Sequence, residues 1–183
     1  MEQKKKKYRG RRSYLNDYEL DESGAYVYNG TEYIWKSPRK EALIKIWLLS
    51  LAAFAMQILA GCVPDVGMNG RAWVLLPYAA ALASSVSLLW GSYTLTDGGE
   101  RIPEHIYKKS ADALPVRSIL TIVFSGVAIL GELVNLIWQS QFDGSISGAV
   151  IYMVSEAAGV ILALLLRKTV LGLEWERKEE PEE

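Results

Sequence analysis

The sequence predicts an all-α membrane protein, with four transmembrane helices in an antiparallel bundle and a short N-terminal cytoplasmic β-hairpin. Three observations predict it. First, the apolar residues gather in four blocks, at 42–63, 73–95, 116–138 and 146–166. Each holds about 20 residues, and at ~1.5 Å rise per residue it spans a hydrocarbon core of about 30 Å. A helix of a soluble bundle would carry a polar face, and these blocks do not. Second, the third block has a single hydrophilic line: Ser118, Thr121, Ser125, Ala128, Glu132, Asn135 and Gln139. Its alternating steps of three and four mark one helix face turned toward protein, with oil on the other sides. Third, of the 20 Lys and Arg, only Arg71 lies in the first and third connections between blocks. That bias sets both termini and the middle loop in the cytoplasm, at the inner face of the cell membrane.

The chain divides into a cytoplasmic arm with the hairpin (1–41), the bundle (42–166) and a charged cytoplasmic tail (167–183). The arm opens with Lys4, Lys5, Lys6, Lys7, Arg9, Arg11 and Arg12 against Glu2 alone. Such a run is solvated and favours anionic lipid headgroups by about 1 kcal/mol per basic residue near the surface. Only Tyr8 interleaves these charges, so no nucleic-acid partner is expected. Next, Asn29-Gly30 separates the β-prone runs Tyr26–Tyr28 and Thr31–Trp35, which predicts a two-residue hairpin turn. Asn29-Gly30-Thr31 also fits a glycosylation acceptor, but the expected cytoplasmic location discounts it.

The first helix carries the seam Ser50, Ala53, Gln57 and Ala60. It ends in Leu59-Ala60-Gly61-Cys62, which resembles the bacterial lipoprotein processing box. About 60 residues precede that cysteine and three apolar helices follow, so the flanks do not fit a signal peptide. The second helix has the seam Pro77, Ala80, Ser84, Ser87, Gly91 and Thr94, small enough for backbones to approach closely. Trp73, Trp90 and Tyr93 sit at its ends as interface anchors. In the middle loop, Pro103 suits the first position of a short helix that Pro115 ends. His105 is expected on an exposed loop surface. The fourth helix presents Gly148, Tyr152, Ser155 and Gly159, and Ser155, Gly159 and Ala163 form a small-xxx-small line. The acidic tail from Glu174 is expected to fray.

One Cys and one His exclude a disulfide framework and a cysteine metal cluster, and no metal or cofactor is expected. Rise per residue places Glu132 about 9 Å below the outer boundary, level with Gln57 and Tyr152, and Glu156 about 15 Å deep, level with Ser84. Together with Asn135 these residues form the candidate intramembrane polar site, for a proton or a cation. An intramembrane carboxyl without a basic partner points to ion handling or to hydrogen-bonded glue. No nucleophile–base pair or nucleotide loop is present, which argues against an enzyme. The expectation is a non-enzymatic membrane component acting through helix contacts and its cytoplasmic face, with itself or a membrane partner. A small proton- or cation-coupled permease is the alternative.

Overall fold

The computed structural model describes residues 17–20, 24–64, 66–138 and 146–178. It is mostly helical, with four helices long and apolar enough to cross a membrane and a small antiparallel sheet at one end. The basic arm with Lys4 to Arg12 lies outside the described residues, as do Gln139 and the rest of the third connection.

The first long helix, α1 (Arg39–Gly61), starts after Pro38, whose fixed φ suits a helix start, and carries Glu41 in its first turn near the positive end of the dipole. Helix α2 (Ala72–Asp97) contains Pro77, which lacks an N–H and so frees the Trp73 carbonyl. Gly131 of the facing helix packs on that oxygen, where a Cβ would sit only 2.9 Å away. A short helix α3 (Glu104–Lys109) ends at Ser110, before Pro115 is reached. Pro115 instead lies in the first turn of α4 (Ala113–Trp138), where a missing N–H costs nothing. Helix α5 (Ile146–Leu171) completes the set. Around the bundle the order is α1, α2, α4, α5, each packed on its neighbours in sequence, with α5 returning to α1. Successive long helices run antiparallel.

The α4 line is buried as its spacing predicts: Ser118, Thr121, Ser125, Ala128 and Glu132 are at 0% exposure and Asn135 at 3%. The α1 line Ser50, Ala53, Gln57, Ala60 is wholly buried too. In α2 the buried line is Val74, Tyr78, Ala81, Ser85, Leu88, Ser92 and Leu95. That is one residue round from the expected seam, of which Ser84 and Gly91 are buried and Pro77, Ala80, Ser87 and Thr94 are half-buried. The reason is that α2 serves two neighbours. Ser92 turns to α1, while Gly91 turns to α4, where a Cβ would meet Leu114 at 2.8 Å. On the bundle's outside, Ile44, Leu48, Leu76, Trp90, Leu130, Val154 and Ile161 are exposed.

The expected hairpin across Asn29-Gly30 does not form. Strand β2 (Tyr26–Tyr28) pairs backward with β1 (Tyr18–Leu20), in register Tyr18 with Tyr28. Strand β3 (Glu32–Trp35) instead lies between β4 (Arg101–Pro103) and β5 (Trp175–Lys178), antiparallel to both. Gly30 is not at positive φ, as a type I′ turn would require; Gly24 and Gly99 are. So distant pairing overrides the local turn preference. The C-terminal residues from Trp175 to Lys178 are a paired strand rather than frayed. His105 is half-buried in α3, with the rings of Tyr18 and Tyr28 at 6.4 and 6.1 Å, and not on an exposed loop.

This sheet caps one end of the bundle. Tyr33 stacks on Tyr107 at 3.9 Å, Tyr107 meets Trp175 edge-on at 5.2 Å, and Trp35 packs on Trp175 at 4.3 Å. Together these rings cover Ile46, Leu95, Leu114, Leu166 and Val170 from the ends of all four long helices. Pairing of Tyr33 with Ile102 and with Arg177 ties the segment before α1, the α2–α4 connection and the segment after α5 into one body.

Candidate functional site

Most hydroxyls along the seams bond their own helix. Ser84 donates to the Ala80 carbonyl, Ser118 to Leu114, Thr121 to Arg117 and Ser155 to Ile151, at 2.9, 2.9, 3.2 and 2.9 Å. A Ser or Thr that back-bonds in this way is satisfied without a neighbour, so it contributes small size rather than cross-links. Polar bonds between helices occur at three levels.

Nearest the sheet, the Ser50 and Ser92 hydroxyls meet at 2.9 Å between α1 and α2. Trp47 Nε1 donates to Thr96 Oγ1 and an Arg39 guanidinium nitrogen to the Thr96 carbonyl, both at 2.9 Å. On the α2–α4 side, Arg117 bonds the Ser87 and Lys109 carbonyls at 2.9 and 3.1 Å. These bonds clamp the sheet end.

At the middle level, Gln57 of α1 donates through Nε2 to Ser125 Oγ of α4 at 2.8 Å and to Glu156 Oε2 of α5 at 3.1 Å. Ser125 also hydrogen-bonds the Glu156 carboxyl. Gly159, one turn along α5, makes room for the Gln57 amide, since a Cβ there would lie 3.0 Å from Nε2. Gln57, Tyr152 and Glu156 are all at 0% exposure. Three of their oxygens, Gln57 Oε1, Glu156 Oε1 and Tyr152 Oη, have no hydrogen-bond partner. Tyr78 of α2 completes the group: its hydroxyl donates to the Gln57 carbonyl at 3.0 Å and its ring lies 6.2 Å from Tyr152.

At the third level, Glu132 accepts from the Gly67 backbone N–H through both oxygens, at 3.0 and 3.2 Å. Gly67 opens a single 3-10 turn, Gly67–Asn69, in the α1–α2 connection. With Val63 and Val66 it folds back into the mouth of the bundle, against Val74, Ala128 and Tyr152. A Cβ at Gly67 would collide with Glu132 Oε2 and Asn135 Nδ2.

The levels therefore differ from those counted along the sequence. Gln57 is level with Glu156, and Glu132 stands apart, bonded to the loop. Counting by rise assumes that all four helices end in one plane. Helix α1 stops at Gly61, only four residues past Gln57, and its loop dips inward to fill the gap. Ser84 is satisfied on its own helix and makes no bond to Glu156. Among the packing residues, Gly159 faces α1, Ser155 and Ala163 are buried, and Ala80 is half-buried. Sequence reasoning missed Tyr78 and Gly67. Tyr78 is four residues from Val74 and three from Ala81, so a line through the apolar residues of α2 passes through it. Nothing in the sequence points to a buried backbone N–H at Gly67.

Among the described residues, no ion pair joins either carboxyl; the pairs Lys36–Glu176, Arg101–Glu32 and Lys108–Glu104 all lie on the sheet-end surface. Comparison with known proteins returns no matching family model, curated protein or solved structure.

Proposed function

We propose that this chain is a four-pass protein of the inner cell membrane, with the sheet end in the cytoplasm, and that it works as a non-enzymatic membrane component. The exposed outer faces of the four helices support the membrane reading. Ile44, Leu48, Leu76, Leu130 and Val154 are each more than half exposed, and a belt of that kind around four helices is solvated by acyl chains rather than water. The skew of Lys and Arg supports the sidedness.

One observation carries the functional reading: the sheet woven from three separate segments at one end of the bundle. It seals the bundle end with aromatic rings and joins parts of the chain that the bundle alone would leave independent. A module built this way offers a stable inner-face platform, and a run of basic residues precedes it in the sequence. A second copy, or another membrane protein, is the partner such a platform and the outer faces of the helices fit. The seams favour assembly over conduction, because most of their hydroxyls are used within their own helices and Glu132 holds the loop.

A specific observation favours the alternative, a small proton- or cation-coupled permease: the buried Glu156 with an unpartnered oxygen beside the unpartnered oxygens of Gln57 and Tyr152. The two readings separate in purified full-length protein. Native mass spectrometry from mild detergent reports a discrete complex, with itself or with a defined partner, for the assembly reading. A pH-gradient-driven flux in proteoliposomes that Glu156→Gln abolishes refutes it in favour of the permease.

A further inference from the structure

We propose that Glu156 is a proton-binding site, closed as an acid–amide pair with Gln57. The two carboxyls are distinguished by what their oxygens touch. Both oxygens of Glu132 take the Gly67 backbone N–H, and the Asn135 amide, whose Oδ1 is buried and unpartnered, lies beside that contact. At Glu156 only Oε2 receives an N–H, that of Gln57, at 3.1 Å. Its Oε1 and the Oε1 of the same Gln57 amide are buried and unpartnered. Two acceptors cannot satisfy each other. A proton on Glu156 turns one of them into a donor, and a single O–H to Gln57 Oε1 then satisfies both oxygens. The carboxylic acid and the amide would thus exchange two hydrogen bonds, O–H to C=O and N–H to C=O.

The surroundings fit a neutral pair. Titratable neighbours are Tyr152 on α5 itself, Tyr78 from α2, and Glu132 from α4 one level away. Helix α1 brings only the neutral Gln57. None of these is a cation, so nothing compensates a carboxylate there, and a bare charge in that position is costly. Gly159 keeps the amide against the carboxyl rather than pushing it aside. The proton is then the ligand that holds α1 to α5 at mid-bundle. Its release would leave the Glu156 carboxylate with one amide and one hydroxyl, and would weaken the α1–α5 contact. The site holds for an assembly component and is required by a proton-coupled permease, so it does not depend on the choice between them.

The test uses purified full-length protein in lipid at neutral pH. Infrared difference spectra of wild type against Glu156→Gln should lose a protonated carboxylic C=O band, and dicyclohexylcarbodiimide should modify Glu156, as mapped by mass spectrometry; no labelling of Glu156 would overturn the proposal. Glu156→Gln should leave the melting temperature unchanged, because two amides close the same ring. Loss of carboxylate bands on Glu156→Gln overturns the proposal. So does a wild-type melting temperature that rises with sodium or potassium and stops rising in Glu156→Gln, since a metal cation would then be the ligand. The labelling readout is taken on folded wild type, so it decides the matter even if a variant fails to fold.

Discussion

The inward fold of the α1–α2 connection rests on one backbone N–H, and Gly67→Ala tests it. The added Cβ would collide with the Glu132 carboxyl and the Asn135 amide, so the loop must move out. Moving it separates the Gly67 N–H from Glu132, a buried hydrogen bond whose loss leaves a polar group unsatisfied at a cost of about 1–3 kcal/mol. The Glu132 carboxyl then remains buried without that donor, and Val63 and Val66 lose part of their cover. A loss of about 3 kcal/mol follows, tempered by any water that enters. Gly70→Ala is the internal control. It lies three residues on in the same loop, at negative φ, with nothing within 4 Å of where its methyl group would sit. That change should be neutral or slightly stabilising, within about 0.5 kcal/mol, because Ala restricts the unfolded chain. Unfolding in mixed detergent–denaturant micelles, followed by tryptophan fluorescence, measures both. Equal effects of the two substitutions would refute a buried contact between Gly67 and Glu132.

Three further outcomes follow from the same structure. Trp175→Ala removes a ring that packs on both Trp35 and Tyr107, and should cost about 3 kcal/mol with early proteolytic cleavage just after α5; unchanged protease resistance would contradict the sealed sheet end. Ser50→Ala and Ser92→Ala should each cost little, with a coupling of about 0.6 kcal/mol in a double-mutant cycle, because Ser92 also bonds its own helix; a coupling several times larger would contradict that sharing. Burial raises the Tyr28 phenol above its usual range, against the opposing hydrogen bond from the Glu104 N–H. A raised acid favours the neutral folded form, so its contribution to stability is complete below pH ~10 and is lost as pH rises through the folded value. The tyrosinate absorbance that Tyr28→Phe removes should therefore develop above pH ~10; development below it would contradict the burial.

The bundle is legible in the sequence because hydrophilic residues are scarce in it. On α4 the apolar background is so uniform that Ser118 through Asn135 stand out as one line, and burial follows that line residue by residue. On α2, Ala, Ser and Gly occupy two adjacent lines at once. Composition cannot say which of them meets α1 and which meets α4, hence the error of one residue. Depth fails for a different reason. Hydropathy carries α1 on to Val63, but the helix ends at Gly61, and Val63 and Val66 continue the apolar run as a loop that tucks inward. The sheet is the least legible part. Asn29-Gly30 is a strong local turn sequence, yet β3 finds its partners at Ile102 and Arg177, and no local pattern records a pairing across that much chain. Of the candidate site, Glu132, Asn135, Gln57, Tyr152 and Glu156 are all buried as expected, and their grouping is what requires three dimensions.

Membrane crossing with the sheet end inside the cell is the claim beneath the rest, and single-cysteine labelling in intact cells tests it most directly. On a Cys62→Ser background, Asn69→Cys marks the loop end and Tyr26→Cys the sheet end, and both positions are exposed. A membrane-impermeant maleimide should label Asn69→Cys in intact cells and Tyr26→Cys only after permeabilisation, with the protein in the pellet after alkaline carbonate washing. The opposite labelling pattern, or protein released into the supernatant, would contradict it.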